Sequence, residues 1–525
     1  MLRKSCLGSA FILGSYYIVC QHSNYFKSNV IFRLGRTFFT VASMTVDYKL
    51  FYFITNAADS NYNDLLSQVH LKAAKKLLAL SIINGGCFIK IGQHLGSLTY
   101  LLPEEYVNTL KVLHDNVPSE LYENIYQIIK EEIGVEPSEI FSEISTIPIG
   151  TASLAQVHYG KLRNTNEEVA IKVQHREVKD NATLDLLCMD TLFSLSLILF
   201  PQMNLKWLAE ESRKNLPKEL NFLMEGCNAE NIRNKLSKKL PFLKIPKIFW
   251  NFSTEKLLVM EFCHGGKVND LSYIKSNGIS PKEVSQNLCK LYSEMIFGQG
   301  FFHSDPHPGN ILVRSSSIQS SSWLRYLLSM IWNPFTIRSE IVLIDHGLYQ
   351  ELSDDFLMHY CRLWLYIIDG NENGIKQEAI ALGIKENLHR LLACMVSGRS
   401  WKSLESGISN TKFSLLESQL MRENANIYLK EMIDILNSVP RQMLLILKTN
   451  DLLRGVEHTL MGVPYNSASL GLITMAQFCL SRITNQEIQI LFAQGSPVSA
   501  WFQCWKMKIK LYWHLFTFNL YTIFI

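Results

Sequence analysis

The spacing of apolar residues predicts two helices early in the chain. In the run LLSQVHLKAAKKLLALSII, apolar side chains recur every three or four positions, which is the spacing of one helix face. This run belongs to a helical region over residues 61–117 that is broken by a glycine-rich stretch at 84–97. Residues 119–133 predict a second amphipathic helix, with Ser119 suited to be its N-cap and Gly134 its C-terminal stop.

The middle of the chain, residues 141–262, changes to short β-rich runs with helices between them. VAIKV (169–173) and LLVMEF (257–262) contain β-branched and apolar residues bounded by polar turns, which is typical of strands. Because side chains alternate along a strand, Lys172 lies on the side opposite to the core-facing residues of VAIKV. Helical patterns dominate the remainder of the chain, where IVLID (341–345) is the one predicted strand.

Composition places the protein among ordinary globular proteins. A chain of 525 residues is long enough for about two or three folded units, and 47% hydrophobic with 19% charged residues excludes global disorder. The net charge of +4 is too weak over this length to favour nucleic acid as the main partner. The 11 cysteines are scattered without a Cys-x-x-Cys pair or a cluster with histidines, which argues against a disulfide scaffold or a zinc site and indicates reduced, mostly buried thiols.

The first 46 residues are basic, because no acidic residue precedes Asp47. An acid-free, basic segment with interleaved apolar residues is typical of a mitochondrial presequence, which is the interpretation we favour. The apolar run 5–20 equally fits a secretory signal or an uncleaved membrane anchor, although it is shorter than the ~20 residues of a full span. The basic residues are Arg3, Lys4, Lys27, Arg33 and Arg36.

The extreme C-terminus, LYWHLFTFNLYTIFI (511–525), is uncharged and rich in aromatic residues. It follows Lys506, Lys508 and Lys510, so it fits an interfacial membrane segment whose lysines reach the polar surface. The alternative is a terminal helix or strand that packs on the body of the protein.

The strongest chemical signal is HSDPHPGNILV, residues 303–313, followed by IVLIDHG, residues 341–347. Asp305 and Asn310 have the D-x-x-x-x-N spacing of a protein-kinase catalytic loop, in which the aspartate handles the phosphoryl acceptor and the asparagine holds a metal ion. Asp345 ends an apolar strand and precedes His-Gly, as the metal-binding aspartate of the kinase DFG element precedes Phe-Gly. Oxygen ligands of this kind suit Mg²⁺, so we predict Asn310 and Asp345 as metal ligands.

Lys172 is the candidate for the kinase lysine that binds phosphates. A lysine in the middle of an apolar strand is costly without a partner, and Glu225, in KELNFLMEGCNAEN, is the best candidate carboxylate. The ordered set of motifs predicts an α+β, protein-kinase-like fold of two lobes.

Two expected kinase parts are missing. No G-x-G-x-x-G precedes Lys172, where PIGTASLAQVH (148–158) stands instead, and no Ala-Pro-Glu follows Asp345. These absences argue against an ordinary serine, threonine or tyrosine kinase. Of the motif histidines, we expect His303 to anchor the catalytic loop, His346 to pack in place of the usual phenylalanine, and His307 either to shape the loop or to touch phosphate.

Five short motifs together resemble the UbiB family, the aarF-domain-containing atypical kinases of bacteria, mitochondria and plastids. They are KIGQ (90–93), the small-residue loop before SLAQVH, ELNFLMEG, HSDPHPGN and DHGLYQ. The resemblance covers residues 65–360, and RSWKSLESGIS (399–409) with DHGLYQ is most similar to a mitochondrial subgroup.

The resemblance implies a kinase-like fold with an N-terminal helical extension, which carries the K-x-G-Q motif over the place where a protein substrate would dock. Lys90, Gln93 and Glu219 would be regulatory, with Lys90 contacting Glu219, and Lys172 would pair with Glu225. A loop would cover the nucleotide phosphates, and the end of the strand LLVMEF would also bind nucleotide. These nucleotide-binding residues are Gly150, Thr151, Ala152, Ser153, Glu261 and Phe262.

The resemblance also implies that the protein binds adenine nucleotides with magnesium. Family members are linked to ubiquinone and lipid homeostasis and to mitochondrial membrane organisation, and ATPase behaviour is better supported for them than protein phosphorylation. Five segments follow from the motifs and the pattern changes. They are a targeting or membrane segment (1–46), the helical extension (47–140), a small lobe (141–262), a large lobe (263–385) and a helical C-terminal region with a membrane-contacting tail (386–525).

The chain departs from the family pattern in three places. The aspartate of the family's E-x-D motif is Asn221, which accepts a hydrogen bond but loses a charge interaction. The usual alanine loop begins with Gly150, and we expect the glycine to add backbone freedom that lets amides approach phosphate. Residues 314–340 form a long insertion with an apolar core, for which a surface loop, a membrane-touching loop and an artefact of the gene model are the alternatives.

The sequence therefore predicts a mitochondrial, inner-membrane-associated atypical kinase or ATPase that uses ATP and Mg²⁺. Asp305 would orient or deprotonate the acceptor, with Lys172 and Glu225 as the other catalytic residues. The acceptor would be water, a lipid-like hydroxyl or a protein side chain, and membrane lipids and a mitochondrial protein are the expected partners. The alternatives are a catalytically silent nucleotide-binding scaffold that regulates a membrane partner and, less favoured, a true protein kinase.

Overall fold

The computed structural model describes most of the chain, in two compact units. The described residues are 30–56, 59, 61–96, 102–115, 119–199, 206–315, 339–405, 429–462 and 467–494, with Trp501, Trp505, Lys506 and Ile509. Unit 1 comprises residues 1–226 and 247–262, and unit 2 comprises residues 227–246 and 263–525. Both units combine helices with mainly antiparallel strands, which confirms the predicted α+β class; β5 and β10 of unit 2 form the one parallel pair among the described strands.

Unit 1 consists of a helical part followed by a small sheet. Its helices are α1 (Val30–Ile54), α2 (Tyr62–Asn84), α3 (Gly86–Gly96), α4 (Glu104–Leu110), α5 (Val112–Asp115), α6 (Tyr122–Ile133), α7 (Pro137–Ile140), α8 (Arg176–Leu199), α9 (Lys206–Glu219) and the first residues of α10 (Phe222–Leu236). Its strands are β1 (Phe141–Ile144), β2 (Gly150–Thr151), β3 (Ala155–Leu162), β4 (Glu168–Gln174) and β6 (Leu257–Glu261), because β5 (Leu243–Lys244) belongs to unit 2.

The sheet of unit 1 has the antiparallel order β1-β3-β4-β6, and β2 pairs with the start of β3. Val169, Ile171 and Val173 of β4 are fully buried against the apolar side of α6, which confirms the side of VAIKV that was predicted to face the core. Burial of each such side chain stabilises the fold by roughly 1.5–3 kcal/mol. This packing leaves Lys172 on the opposite side of the sheet.

Helix α6 begins later than the sequence predicts. Its first residue is Tyr122 and its N-cap is Leu121, so the assignment of Ser119 as N-cap was wrong. The backbone N–H of Glu120 donates to Gln156 Oε1 at 2.8 Å, and Gln156 Nε2 donates to the Glu120 carbonyl at 3.3 Å, which holds this residue against β3. The predicted stop is confirmed, since Gly134 has a left-handed φ of 80°.

The helical extension is held to the rest of unit 1 by a buried ion pair. Arg33 of α1 donates from Nε and Nη2 to Asp185 of α8 at 2.9 and 2.7 Å, and from Nη1 to the Asn84 carbonyl at 2.6 Å. Helix α1 runs through the predicted boundary at residue 46, so the described part of segment 1–46 is a structural component of unit 1. Residues 1–29, with the apolar run, lie outside the described residues.

Unit 2 contains the remaining elements. Its helices after α10 are α11 (Leu271–Ser276), α12 (Pro281–Ser293), α13 (Asp354–Asp369), α14 (Glu372–Ala381), α15 (His389–Ser397), α16 (Trp401–Glu405), α17 (Leu429–Ser438), α18 (Arg441–Met461) and α19 (Ser467–Gln494), with a π-helical turn at Glu294–Gln299. Its strands are β5, β7 (Gly266–Lys267), β8 (Phe301–His303), β9 (Ile311–Ser315), β10 (Ser339–Leu343) and β11 (Tyr349–Glu351). They form a sheet of order β5-β10-β9-β7 and a separate β8–β11 pair.

Two predicted segment boundaries do not coincide with the units. Residues 263–385 and 386–525 both belong to unit 2, in which α19 packs against α12 and α13. Residues 227–246, assigned to the small lobe, also belong to unit 2, since β5 pairs with β10. The C-terminal helices are thus part of the core of unit 2.

The predicted insertion follows the end of an intact hairpin. β9 and β10 pair antiparallel as far as Ser315 and Ser339, and Arg314 forms an ion pair with Glu340 at 2.5 Å. Residues 316–338 lie outside the described residues, as do 406–409 and the aromatic run 511–525. Within the described ranges, no helix has the length and apolar character needed to cross a bilayer. Most of the described cysteines are buried, as predicted.

Candidate active site

Lys172 lies in the middle of β4, between β3 and β6. Its Nζ donates to both carboxylate oxygens of Glu225, at 2.6 and 2.8 Å, and lies 5.3 Å from the centre of the Phe222 ring. Glu225 lies in the first turn of α10 and is 3% exposed. The predicted ion pair between a strand lysine and a helix carboxylate is confirmed. Each charge compensates the other in a position where either alone would be costly.

The predicted phosphate loop belongs to the same sheet as Lys172. Gly150 and Lys172 both pair with Val157 of β3, so the three residues form one row across three strands. With neighbouring strands ~4.8 Å apart, the backbone of Gly150 is about 10 Å from that of Lys172. Ala152 and Ser153 make the turn from β2 to β3, which the Ala152 N–H closes by donating to the Ala155 carbonyl at 2.8 Å.

The conformational freedom expected of Gly150 is not used. Gly150 is paired in β2 without a left-handed φ, and a Cβ added to it would meet no atom within 4 Å. Strand pairing therefore sets the shape of the loop. The contribution of the glycine is open space beside the backbone, which a bulky side chain would reduce.

The K-x-G-Q helix, α3, contacts the small sheet and α9 within unit 1. Lys90 Nζ lies 2.9 Å from Glu219 Oε2, which confirms the predicted contact, and Gln93 Nε2 donates to the Leu113 carbonyl at 2.8 Å. Leu154, which follows the turn of the phosphate loop, packs in one cluster with Cys87 of α3. The extension is thus coupled by packing to the loop that would cover phosphates.

Asn221, which replaces the family aspartate, acts at the start of α10. Its Oδ1 accepts a hydrogen bond from the Leu223 N–H at 3.0 Å, which satisfies one donor of the first helical turn. The asparagine thus keeps the role of a hydrogen-bond acceptor that the sequence predicted for it. It also fixes the start of the helix that presents Glu225.

Glu261 and Phe262 lie at the end of β6, where the backbone is already engaged within unit 1. The Glu261 N–H donates to the Lys247 carbonyl at 2.8 Å, and the Phe262 N–H donates to the Glu168 carbonyl at 3.0 Å. The Phe262 ring lies edge-on to Tyr159 at 5.1 Å. Their assignment to nucleotide binding stays a prediction.

In unit 2, the two predicted catalytic loops are joined at both ends. Residues 304–310 connect β8 to β9, and residues 344–348 connect β10 to β11. At one end the Ser304 N–H donates to the Leu348 carbonyl, and at the other the Ile344 N–H donates to the Asn310 carbonyl, each at 3.1 Å. The β8–β11 and β9–β10 pairings continue these contacts. The loop of Asp305 and Asn310 and the loop of Asp345 are therefore neighbours, as the motif order predicts.

Hydrogen bonds inside each loop fix the backbone at these residues. The Asp305 carbonyl accepts from the His307 N–H at 2.7 Å and from Asn310 Nδ2 at 3.4 Å. In the second loop, Asp345 Oδ1 accepts from the Gly347 N–H at 3.0 Å. These hydrogen bonds place Asp305 and Asn310 on one tight turn.

The motif histidines make structural contacts. His303 is buried beside Tyr292 and Tyr349, and His307 Nδ1 accepts from the Gly309 N–H at 3.2 Å, which shapes the loop. His346 stacks on Tyr349 and its Nε2 lies 3.1 Å from the Leu343 carbonyl. Burial, and then the charge of Asp305, raise the pKa of Tyr292, so its hydroxyl stays protonated at neutral pH.

Lys448 is a site residue that the sequence analysis missed. It lies within α18, is 8% exposed, and its Nζ donates to Asp305 Oδ1 at 3.1 Å. The C-terminal helical region therefore places a cation on the residue predicted to handle the acceptor. The signal was present in LLILKTND, since a lysine in an apolar helical run needs a partner as much as Lys172 does.

The residues of unit 2 suit a magnesium ion chemically. Asn310 and Asp345 offer one carboxamide and one carboxylate from neighbouring loops, which leaves further coordination positions for phosphate and water, as Mg²⁺ prefers. Among the described residues, no group of three or more histidine, cysteine, aspartate or glutamate side chains could hold a metal ion. This donor set differs from the closed tetrahedral sites of structural zinc.

Comparison with known proteins finds a matching family and similar chains. The ABC1 atypical kinase-like domain matches residues 112–379. AarF domain-containing protein kinase 1 of Gallus gallus is 43% identical over 87% of this chain and 84% of its own, and that of Mus musculus is 43% identical over 87% and 82%. AarF domain-containing kinase 1 of Drosophila melanogaster is 41% identical over 96% and 93%.

Among solved structures, the complex of Rv3197 with erythromycin from Mycobacterium tuberculosis matches 76% of this chain and 94% of that chain, with 15% identity and a TM-score of 0.45. The sequence relatives confirm the family that the motifs resemble, together with the kinase-like fold. They are similar to this chain across both units, including the part after residue 379 that the domain match does not cover.

Proposed function

We propose that this chain, which belongs to the ABC1 family of atypical kinases, binds magnesium–ATP and transfers or hydrolyses the terminal phosphate. The observation that carries the proposal is the pair of neighbouring loops that bear Asp305, Asn310 and Asp345, tied at both ends in unit 2. The buried Lys172–Glu225 pair in unit 1 is the second support, because it provides the oriented lysine that phosphoryl transfer needs.

Each residue has a defined task in this proposal. Lys172, fixed by Glu225, binds nucleotide phosphates, and the hairpin that begins at Gly150 covers them. Asn310 and Asp345 would hold Mg²⁺, which neutralises charge on the phosphates when it is bound. Asp305 orients the acceptor hydroxyl or water. Catalysis of this kind depends on positioning and charge stabilisation, and the hydrogen-bonded loops provide rigid positions.

Lys448 is a positioning residue for Asp305 in this scheme. Its ion pair fixes one carboxylate oxygen and so limits the directions from which Asp305 can accept a proton or a hydrogen bond. The carboxylate therefore acts more by orienting the acceptor than by removing its proton. Loss of Lys448 would leave Asp305 ionised in a largely buried place, which is costly.

We further propose that the protein works at a mitochondrial membrane, in lipid or ubiquinone homeostasis and in inner-membrane organisation. The support is the acid-free, basic start of the chain, the apolar segments at both ends and the family resemblance. Imaging of the full chain with a C-terminal fluorescent tag, against mitochondrial and secretory markers, tests the compartment. Secretory staining would contradict this part of the proposal.

A second candidate function is a nucleotide-binding scaffold without turnover. The specific observation in its favour is the ion pair of Lys448 with Asp305, because a carboxylate that is already paired is a weaker proton acceptor. In this alternative, nucleotide binding changes a contact with a membrane or a protein partner. The Lys90–Glu219 contact of the extension would be the element that responds.

Hydrolysis of ATP by the purified full chain distinguishes the two functions. We expect Mg²⁺-dependent release of phosphate, which Asp345→Asn lowers by about 100-fold or more. Asp355→Asn is the matched control, because Asp355 is an exposed aspartate at the start of α13. If the wild-type chain binds magnesium–ATP and hydrolyses it no faster than Asp345→Asn, the scaffold function replaces the enzymatic one.

A further inference from the structure

Helix α1 exposes large apolar residues although it packs against unit 1. The side packed into unit 1 carries polar and charged residues in its first half, among them Arg33 (3% exposed) and Thr37 (2%), and buries Tyr48 and Phe51 in its second half. The opposite side carries large apolar residues, among them Phe38 (66% exposed) and Phe53 (88%). A helix on a soluble protein normally buries its apolar stripe and exposes its polar one. This helix presents its apolar side outward.

The exposed residues form one continuous stripe, which we call the outer face of α1. Phe38, Val46, Leu50 and Phe53 have the spacing of a single helix face, with Val46 54% and Leu50 51% exposed. These residues recur on one side of the helix over about four turns of 3.6 residues, and the exposed Lys49 lies on the same side. Exposed apolar surfaces of this extent mark interaction sites.

Lysines lie beside the middle of the outer face, whereas the exposed Asp59 and Asp64 follow the C-terminal end of α1. Asp47 is the only acidic residue of α1, and it is turned toward α2, where it accepts from Lys72 at 2.8 Å and from Lys76 at 2.5 Å. Partial burial alone would raise the pKa of Asp47, but the hydrogen bonds and charges of Lys72 and Lys76 together lower it, so the carboxylate stays ionised and the lysines balance its charge. Lys49 of α1 and Lys75 of α2 are also exposed. The face therefore offers apolar and basic groups to a partner, with its acid already paired.

We infer that the outer face of α1 docks on an anionic lipid bilayer, with the helix lying in the plane of the interface. Aromatic and aliphatic side chains would enter the acyl boundary while the lysines contact lipid phosphates. The chain leading into α1 supports a bilayer over a protein partner, because residues 1–29 contain no acid and include the apolar run 5–20. The inference rests on the proposed membrane association and assigns a surface to it.

Vesicle flotation of the purified full chain tests this surface. Wild-type protein is mixed with vesicles of phosphatidylcholine and cardiolipin or of phosphatidylcholine alone. We expect stronger binding to the cardiolipin vesicles, and weaker binding as salt is raised. Phe38→Glu combined with Phe53→Glu should lower binding at least about tenfold.

The matched control places two glutamates elsewhere on unit 1. Leu121 and Ile147 are 70% and 75% exposed, so Leu121→Glu with Ile147→Glu makes the same chemical change away from α1. Binding of this variant should equal that of the wild type. Equal binding by both double variants would overturn the inference. The inference would also be overturned if light scattering without vesicles showed a dimer for the wild type and for the control variant but a monomer for the Phe38/Phe53 variant.

Hydrogen exchange on the wild-type chain gives a test without substitutions. We expect cardiolipin vesicles to slow exchange in peptides from residues 38–54 and to leave those from 121–147 unchanged; no slowing at 38–54 would overturn the inference. Magnesium–ATP hydrolysis is measured on the same preparations without vesicles. Vesicle binding through α1 without hydrolysis would refute the proposed enzyme only, and hydrolysis without binding through α1 would refute this inference only.

Discussion

Unit 1 and unit 2 each contain a buried pair of a lysine and a carboxylate that includes a predicted site residue, but the two pairs differ in how the chain builds them. Lys172 and Glu225 are 53 residues apart and both belong to recognisable motifs. Asp305 belongs to a motif, but its partner Lys448 comes 143 residues later, from a helix without one. The kinase-like motifs therefore predict both residues of the first pair but only Asp305 of the second.

The two pairs differ because their motif residues lie in different kinds of local structure. Lys172 sits in a central strand whose neighbours are fixed by pairing, and its partner comes from α10, which lies between β4 and β6 in the chain. Asp305 sits in an irregular loop, whose surroundings are completed by whatever helix packs against it. That helix, α18, belongs to the C-terminal region, which the sequence analysis had set apart as a separate segment. The C-terminal helices are thus part of the candidate site.

The largest effect is expected from the pair that motifs define. Lys172→Met removes the cation that we propose binds phosphates and leaves Glu225 buried without it, so ATP hydrolysis should fall about 100-fold or more. Lys161→Met is the control, because Lys161 lies on the neighbouring strand β3 and is partly exposed. Phosphate release at saturating ATP measures both. Equal loss in the two variants would mean that Lys172 acts only through stability.

Lys448 should affect turnover more than nucleotide binding. We expect Lys448→Met to lower kcat about tenfold to 100-fold with little change in the KM for ATP, since the lysine contacts Asp305 and not the predicted nucleotide ligands. Lys448→Arg keeps the charge and should retain more activity. A purely structural lysine would instead show wild-type kcat per folded molecule in both variants.

The buried Arg33–Asp185 pair, which joins α1 to α8, serves as a comparison because it has no role in the proposed catalysis. Arg33→Met should destabilise unit 1 by about 3–5 kcal/mol, because it leaves a buried carboxylate without its main partner. Burial already raises the pKa of Asp185, and the charge of Arg33 opposes that shift. Arg33→Met combined with Asp185→Leu should recover most of the stability in urea unfolding.

The same double replacement separates the two kinds of pair. Lys448→Met with Asp305→Leu should also recover stability, but ATP hydrolysis should remain at the level of the background. The Arg33/Asp185 double variant should hydrolyse ATP like the wild type. Recovery of hydrolysis by the Lys448/Asp305 double variant would show that Asp305 has no role in catalysis.

The smallest effect is expected at Gly150. A methyl group there meets no atom within 4 Å and the backbone is an ordinary strand, so Gly150→Ala should leave stability unchanged or raise it by about 0.5 kcal/mol. Thermal unfolding of the nucleotide-free chain measures this. A large loss of stability would contradict the strand pairing of β2 with β3.

Much of the fold and the site could be predicted from local patterns. The alternation in VAIKV gave the buried side of β4, and the spacing in HSDPHPGN and DHG gave two loops that the structure brings together. What could not be predicted depended on distant partners. Gln156 binds the backbone of Glu120, and α6 begins only after that residue. Arg33 pairs with Asp185 inside unit 1, although the sequence around Arg33 resembles a targeting segment.

The most direct test of the account is calorimetric titration of ATP into the full chain, with and without Mg²⁺. The wild type should bind ATP more tightly with Mg²⁺, Asp345→Asn should lose that difference, and Lys172→Met should bind more weakly in both conditions. Wild-type binding that does not depend on Mg²⁺, or variants that bind as the wild type does, would contradict the proposal that Asp345 is a metal ligand and that Lys172 binds nucleotide phosphates.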